Sequence, residues 1–248
     1  MRKFRIFLIG LAILSLAGIF FFAMKKNETS SVPLPPATSY SAAPAPQTNN
    51  PEQENSSAIL PNEVNLAIPF TSQAPHQNWD LPYQEFCEEA SVLMAASFVR
   101  GETISGPDDA DKKMLAIKDF EEKKLGFYKD TTAEETAVIL KEYFGFSKIE
   151  VISDPTEETI KRALAGGKAV IVPLAGRELG NPHYKRPGPL FHMLVVKGYT
   201  RAGDFITNDP GTRNGADYVY QPSILLNAIH DWNNGDVYKG KKAAIIVG

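Results

Sequence analysis

The longest apolar run in the chain comes first. Ile6 to Met24 is 19 residues without a charge, preceded by Arg2, Lys3 and Arg5 and followed by Lys25 and Lys26. At about 1.5 Å per residue, a helix of that length spans roughly the ~30 Å hydrocarbon core of a bilayer. The pattern predicts a transmembrane anchor over residues 1–26. The basic flank predicts a single-pass protein with a cytoplasmic amino terminus and an extracytoplasmic folded part. A cleaved signal peptide competes with it, Ser15-Leu16-Ala17 being the small-residue site, although the strongly apolar Ile19 to Phe22 follows. From Asn27 to Val64 the apolar pattern is lost. Seven prolines among Ser, Ala, Asn and Gln bury too little surface to fold, and residues 27–64 read as a disordered linker.

Periodicity returns at Asn65 and predicts a folded domain over 65–248. Leu66 to Phe70 reads as a short strand, with Pro69 suiting an edge or an end. Helical spacing follows in Glu88 to Val99, stopped by Gly101, then in Asp108 to Lys124 and in Thr132 to Tyr143. Ile149 to Ile152 is strand-like, and Asp154 or Thr156 starts a helix that ends at Gly166-Gly167. Short β-branched and aromatic runs then recur at 169–174, 192–199, 205–208, 218–220 and 243–247, with a last helix at 223–231. Helices gather in the first half and strands in the second. That segregation predicts an α+β fold, not alternating α/β.

Charge narrows the partners. Five of the 26 basic residues and none of the 29 acidic ones fall within residues 1–26, so the remainder carries a net charge of −8. Such a domain is a poor match for nucleic acid or an anionic membrane surface. The single cysteine cannot form an internal disulfide. One cysteine and scattered histidines give no metal-ligand spacing. Neither a Gly-rich phosphate loop nor a Gly-x-Ser-x-Gly elbow occurs. No cofactor, metal or nucleic acid is expected; a peptide or protein substrate is, together with the membrane held by the first helix.

The chemistry centres on that cysteine. Cys87 heads an apolar helix, where unpaired backbone N–H groups and the helix dipole favour a thiolate. The bland alternative is a small buried hydrophobe. His192 opens an alternating strand and is able to take the thiol proton and pass it to a leaving amine. His76, His183 and His230 are less well placed. The strand turns near Arg201-Ala202-Gly203, and a hairpin brings Asp209 opposite or diagonal to His192, where a carboxylate orients and stabilises an imidazolium. Asn208-Asp209-Pro210-Gly211 is also simply a good turn sequence.

Ile68-Pro69-Phe70-Thr71-Ser72-Gln73, Cys87 at a helix start, Phe191-His192 and Asn208-Asp209-Pro210 together resemble the motifs of cysteine peptidase family thirty-nine. These papain-like domains are best known for cutting bacteriocin leaders after paired glycines. The resemblance covers about residues 65 to 248. It implies a papain-like α+β fold, with Cys87 as nucleophile, His192 as base and acid, and Asp209 as orienter. It also implies an oxyanion hole from the Cys87 N–H and a glutamine, either Gln73 or Gln84. The chain departs from the family in having Cys87-Glu88-Glu89 where Cys-Gly is common. Those carboxylates suit the helix dipole but disfavour a thiolate beside them, and are placed to select a basic or amino-terminal substrate group. Trp79, Glu88 and Tyr184 are the substrate-contact candidates. The loop from Gly176 to Pro189, with Arg177, Lys185 and Arg186, either lines the groove and reads acidic groups or is a solvated loop. A thiol peptidase is expected, against two alternatives: a catalytically silent peptide-binding domain and a hydrolase of cell-wall peptide cross-links.

Overall fold

Four strands buried along their whole length organise the domain: Ala169–Ala175, Phe191–Tyr199, Phe205–Asn208 and Ala243–Val247. A strand with no exposed position must be covered on both faces, so these form the middle of a sheet. The computed structural model describes residues 33–41 and 60–248. Its strands are β1 (Val64–Asn65), β2 (Ile149–Ser153), β3 (Ala169–Ala175), β4 (Phe191–Tyr199), β5 (Phe205–Asn208), β6 (Tyr218–Tyr220) and β7 (Ala243–Val247). They form an open sheet in the order β2-β7-β3-β4-β5-β6, with every pair antiparallel. β1 pairs with β4 at Gly198 and Tyr199, beyond the last β3 partner at Val196. The strand expected at 66–70 therefore lies earlier, and only Leu66 continues the pairing, its N–H donating to Lys197 O at 2.8 Å.

The helices are α1 (Cys87–Arg100), α2 (Pro107–Lys124), α3 (Ala133–Val138), α4 (Glu157–Ala165) and α5 (Pro222–Ala228). Local chemistry sets their ends. Gly101 takes φ +65°, and the N–H groups of Gly101 and Glu102 close on Phe98 O and Ser97 O. Pro107 opens α2, with Asp108 and Asp109 in its first turn and Lys123 and Lys124 in its last. Thr132 with Glu135, and Thr156 with Thr159, form reciprocal caps for α3 and α4. A π-helical turn, Ile139–Tyr143, continues α3. From Cys87 to Phe98 every residue of α1 is buried, so the helix lies inside the domain with its amino terminus near the start of β4.

The α+β expectation holds, with helices first and an antiparallel sheet after. The membrane half of that expectation does not. Among the described residues no helix is long and apolar enough to cross a membrane. The longest, α2, has 18 residues and carries charges on every turn, so it has no uninterrupted apolar surface to offer lipid. The anchor expected over 1–26 lies outside the described residues. The transmembrane helix, the membrane as a partner and the single-pass localisation are accordingly withdrawn.

The described residues between Leu34 and Gly248 form one compact unit. Part of the stretch read as linker lies along it. Thr38 bridges to Leu66, with Thr38 N–H donating to Asn65 O at 2.8 Å and Ala67 N–H to Thr38 O at 2.7 Å. The Tyr40 ring meets Phe98 edge-on at 5.4 Å. Composition argued against folding of this segment in isolation; a ready strand edge supplies the partner its own sequence lacks.

Where β1 crosses β4, the backbones nearly touch. A Cβ on Gly198 would stand 2.1 Å from Val64 O and 2.9 Å from Asn65 Cα, and backbone cannot yield as a side chain does. Gly198→Ala is expected to destabilise the domain by about 2 kcal/mol or more, lowering Tm by roughly 4–8 °C for a domain of this size. Thermal unfolding followed by circular dichroism checks this, and an unchanged Tm would exclude β1 from the folded core.

Candidate active site

β4 and β5 bring a histidine and an aspartate together through their register. Val195 lies across from Asn208; one step on, Asp209 is across from Leu194 and diagonal to His192. His192 Nε2 and Asp209 Oδ1 are 2.8 Å apart, and both side chains are essentially buried. Oδ1 also accepts the Gly211 N–H at 3.0 Å. Oδ2 accepts Tyr184 OH at 2.6 Å, Tyr220 OH at 2.7 Å and Asn181 Nδ2 at 3.1 Å. Burial pushes the Asp209 carboxyl upward, but the neighbouring His192 and these donors outweigh it and hold it below the usual range. Asp209 is thereby kept as a carboxylate.

The imidazole is confined as well. Tyr184 meets it edge-on at 5.5 Å. A Cβ on Gly176 would stand 2.9 Å from His192 Cβ, and one on Gly211 would stand 2.9 Å from His192 Cε1. Glycine is therefore required against the ring at 211 and against the base of the His192 side chain at 176. With Nε2 on Asp209, the open nitrogen is Nδ1.

Cys87 begins α1 after the 3₁₀ turn Tyr83–Glu85. The backbone of Met193, the residue after His192, acts on the thiol in the direction that favours its ionised form. Cys87 Sγ donates to Glu88 Oε2 at 2.8 Å, and Glu88 Oε1 accepts Thr131 N–H at 3.0 Å. Burial first, then the charge and hydrogen bond of Glu88, push the thiol well above its ordinary value; the Met193 backbone opposes them. At rest the thiol is protonated.

Behind it lies a cluster of carboxyls. Glu88, Glu89 on α1 and Glu121 on α2 are 1% exposed or less. Neither oxygen of Glu89 or of Glu121 has a partner among basic or neutral donors of the described residues. The two side chains instead face each other. Burial and mutual repulsion forbid two adjacent anions here. Burial, then the Glu121 and Glu88 charges, raise Glu89 well above the ordinary value of 4.5. Burial, only partly offset by the Cys87 hydrogen bond, raises Glu88 to about 8. Burial and Glu88 raise Glu121 to about 9. Helical spacing hides this cluster, because acidic residues in a first turn read as solvated.

The two glutamines differ. Gln73 is buried, and its amide nitrogen donates to Tyr83 O at 3.0 Å and Gln84 O at 2.9 Å, tying it to the turn before Cys87. Its own N–H donates to Pro210 O at 3.0 Å, and Asn208 Nδ2 bonds Ile68 O and Pro69 O. The turn at Asp209 thus carries the Gln73 segment. Gln84 is exposed, its amide on Glu85. Trp79, 41% exposed, lines a cleft of about 790 Å³ with Gln73, Gln84, Tyr184 and Gly211. Glu88 is turned into the protein and does not face that cleft. The roles of Asn181 and Tyr220 are not legible in the sequence, since no local spacing connects them to Asp209. Among the described residues no three His, Cys, Asp or Glu side chains are placed to hold a metal ion.

Comparison with known proteins agrees with this geometry at the level of family and fold. The family model described as "Peptidase_C39 like family" matches residues 65–235. No curated protein matches the chain. The fold is similar to that of a Bacillus anthracis protein assigned as a C39-like peptidase, with a TM-score of 0.51 and 14% identity over 75% of this chain and 97% of that one. A fragment of prointerpain A from Prevotella intermedia aligns over 56% of this chain and 41% of its own, with 17% identity and a TM-score of 0.37, too loosely to inform the fold.

The buried acids carry a pH signature. A carboxyl raised from 4.5 on folding binds its proton more tightly in the native state. Its contribution to stability is full below pH 4.5 and is lost as pH rises through about 8 for Glu88 and about 9 for Glu121. Urea unfolding at pH 5, 7 and 9 is expected to show falling stability. Glu121→Gln, which mimics the protonated acid, is expected to flatten that fall and exceed the native chain at pH 9. A parallel decline in both chains would show that Glu121 is not held protonated.

Proposed function

The chain belongs to the Peptidase_C39 like family, and on that premise we propose that it is a thiol peptidase hydrolysing peptide bonds through Cys87, His192 and Asp209. The observation carrying this reading is the buried His192–Asp209 pair at 2.8 Å, on the strand whose next residue, Met193, acts through its backbone to favour the ionised form of Cys87. Cys87 Sγ attacks the scissile carbonyl carbon as its proton passes to His192 Nδ1. The imidazolium, stabilised through Nε2 by the Asp209 carboxylate, then protonates the leaving amine. Water, with His192 as base, hydrolyses the thioester and regenerates the thiol.

The carbonyl oxygen gains negative charge in the first step. The Cys87 N–H, in the helical turn that has no internal acceptor, is one donor to it. Gln73 is the other, once its amide exchanges one of its two carbonyl partners for the oxyanion. Gln84, also on the cleft wall, is the alternative donor. Cys87→Ala is expected to abolish hydrolysis with the fold intact. Asp209→Asn is expected to lower kcat about a hundredfold or more with little change in KM, because it removes imidazolium stabilisation and not binding. Steady-state kinetics on a fluorogenic peptide checks both; undiminished turnover by Cys87→Ala would end the assignment.

A silent peptide-binding domain is the second reading, favoured by the Cys87 hydrogen bond to Glu88 and the raised thiol. The pH dependence of iodoacetamide alkylation separates the two. In the peptidase reading, His192→Ala slows alkylation, and the native rate levels off above about pH 8, where Glu88 ionises and opposes a thiolate. Glu88→Gln is expected to remove that levelling. A thiol inert at every pH, and indifferent to His192, would favour the silent domain.

A further inference from the structure

Among the described residues, the formally charged side chains lining the cleft that holds Gln73, Tyr184 and Gly211 are all basic. Its walls include Lys185 and Arg186 from the loop before β4 and Arg213 from the loop after Asp209; no aspartate or glutamate of the described residues lines it. The full chain carries 29 acidic residues against 26 basic, so a cleft without a single acidic side chain runs against the composition around it. Among the described residues, none of the three cations has a carboxylate within ion-pair distance. Arg213 reaches only the Gln77 amide oxygen, at 3.3 Å. The acids that flank the nucleophile in sequence face inward and do not offset this charge.

We propose that this cleft selects peptide segments carrying acidic side chains, seating their carboxylates between Lys185 and Arg186 on one wall and Arg213 on the other. The inference rests on the peptidase reading for the cleavage of a bound segment, and on the cleft alone for binding itself. Position joins the two. Tyr184 and Gly211 lie on the cleft and against the His192 ring, while Gln73 lies on it and bonds the turn leading to Cys87. A chain seated there runs toward the reacting atoms. Arginine binds carboxylate in bidentate fashion and lysine as a point charge. Gln77, Gln84 and Asn214 add amide groups that suit a peptide backbone, and half-exposed Trp79 adds an apolar platform. That mixture fits a peptide better than a nucleic acid, whose binding calls for a continuous basic track with stacked aromatics. The charged groups are exposed, so the selectivity is sensitive to salt.

The test uses the full-length chain with Cys87→Ala, which binds without turnover, and three fluorescein-labelled dodecapeptides identical except at four positions held by Glu, Gln or Lys. Fluorescence anisotropy in low salt is expected to give the Glu peptide about tenfold or more tighter binding than the Gln peptide, with the Lys peptide weakest. The preference is expected to vanish in about 0.5 M NaCl and in the added triple variant Lys185→Gln, Arg186→Gln, Arg213→Gln. These are exposed loop positions, and an unchanged circular dichroism spectrum shows that the fold is kept. Equal binding of the three peptides, binding of none, a preference unchanged in the triple variant, or stronger binding of a single-stranded oligonucleotide overturns the proposal. The wild-type chain is scored separately by hydrolysis. Acid-selective binding without any cleavage removes the peptidase reading and leaves the cleft assignment standing; cleavage indifferent to peptide charge removes the cleft assignment alone.

Discussion

A full negative charge on Asp209 is held where no water reaches it, and much of the domain is arranged around that requirement. An isolated carboxylate in such a place would take up a proton. It stays ionised because five donors converge on it, from His192, Gly211, Asn181, Tyr184 and Tyr220. Those donors come from β4, the loop before it, β6 and the turn after β5. Holding them together fixes their relative positions. The backbone joins in, with Asp209 N–H donating to Gly215 O at 2.9 Å, at an approach so close that a Cβ on Gly215 would lie 1.8 Å from Asp209 O. Asn208, next in sequence, carries the same constraint to the segment after β1, at Ile68 and Pro69.

A few residues away, burial has the opposite outcome. Glu88, Glu89 and Glu121 are as deeply buried as Asp209 but lack its donors, and they are held in the neutral form. The difference lies in hydrogen-bond supply, not in depth. Cys87 stands between the two regimes: the backbone at the start of β4 favours its ionised form, near a histidine oriented by an anion, while Glu88 takes its thiol proton in a hydrogen bond. The resting site is a protonated, inward-facing thiol beside a polarised imidazole, with its neighbouring acids discharged by burial. Among these four deeply buried acids only Asp209 is held as a carboxylate, so the acids behind Cys87 do not offset the basic side chains of the cleft.

How far the fold was legible depends on how local each signal is. The helix starting at Cys87, the strands around 169–175 and 243–247, and the hairpin from β4 to β5 were readable because apolar period, caps and turn residues lie within a few positions of one another. The short β1 strand was misplaced onto 66–70. Its pairing is decided by where β3 stops along β4, which is information carried by another part of the chain. The docking of Thr38 and Tyr40 on the domain was invisible for the same reason. The sequence places Glu88 as a substrate contact because a first-turn acid on a helix usually meets solvent; only the packing of α1 against α2 and the segment at Thr131 turns it inward.

What the sequence determined by itself is the set of reactive groups and their local stage: one cysteine at a helix start, a histidine at a strand start, and an aspartate one hairpin away, on an α+β framework. These depend on short-range rules of period, capping and pairing, which act before the chain is compact. What only the tertiary structure decided is the state of each group. Whether a carboxyl is charged, whether a thiol keeps its proton, and whether a basic loop faces a cleft depend on desolvation and on donors drawn from distant segments. Proton affinity responds to the whole environment within a few ångströms, and in a folded chain that environment is assembled from residues far apart in sequence.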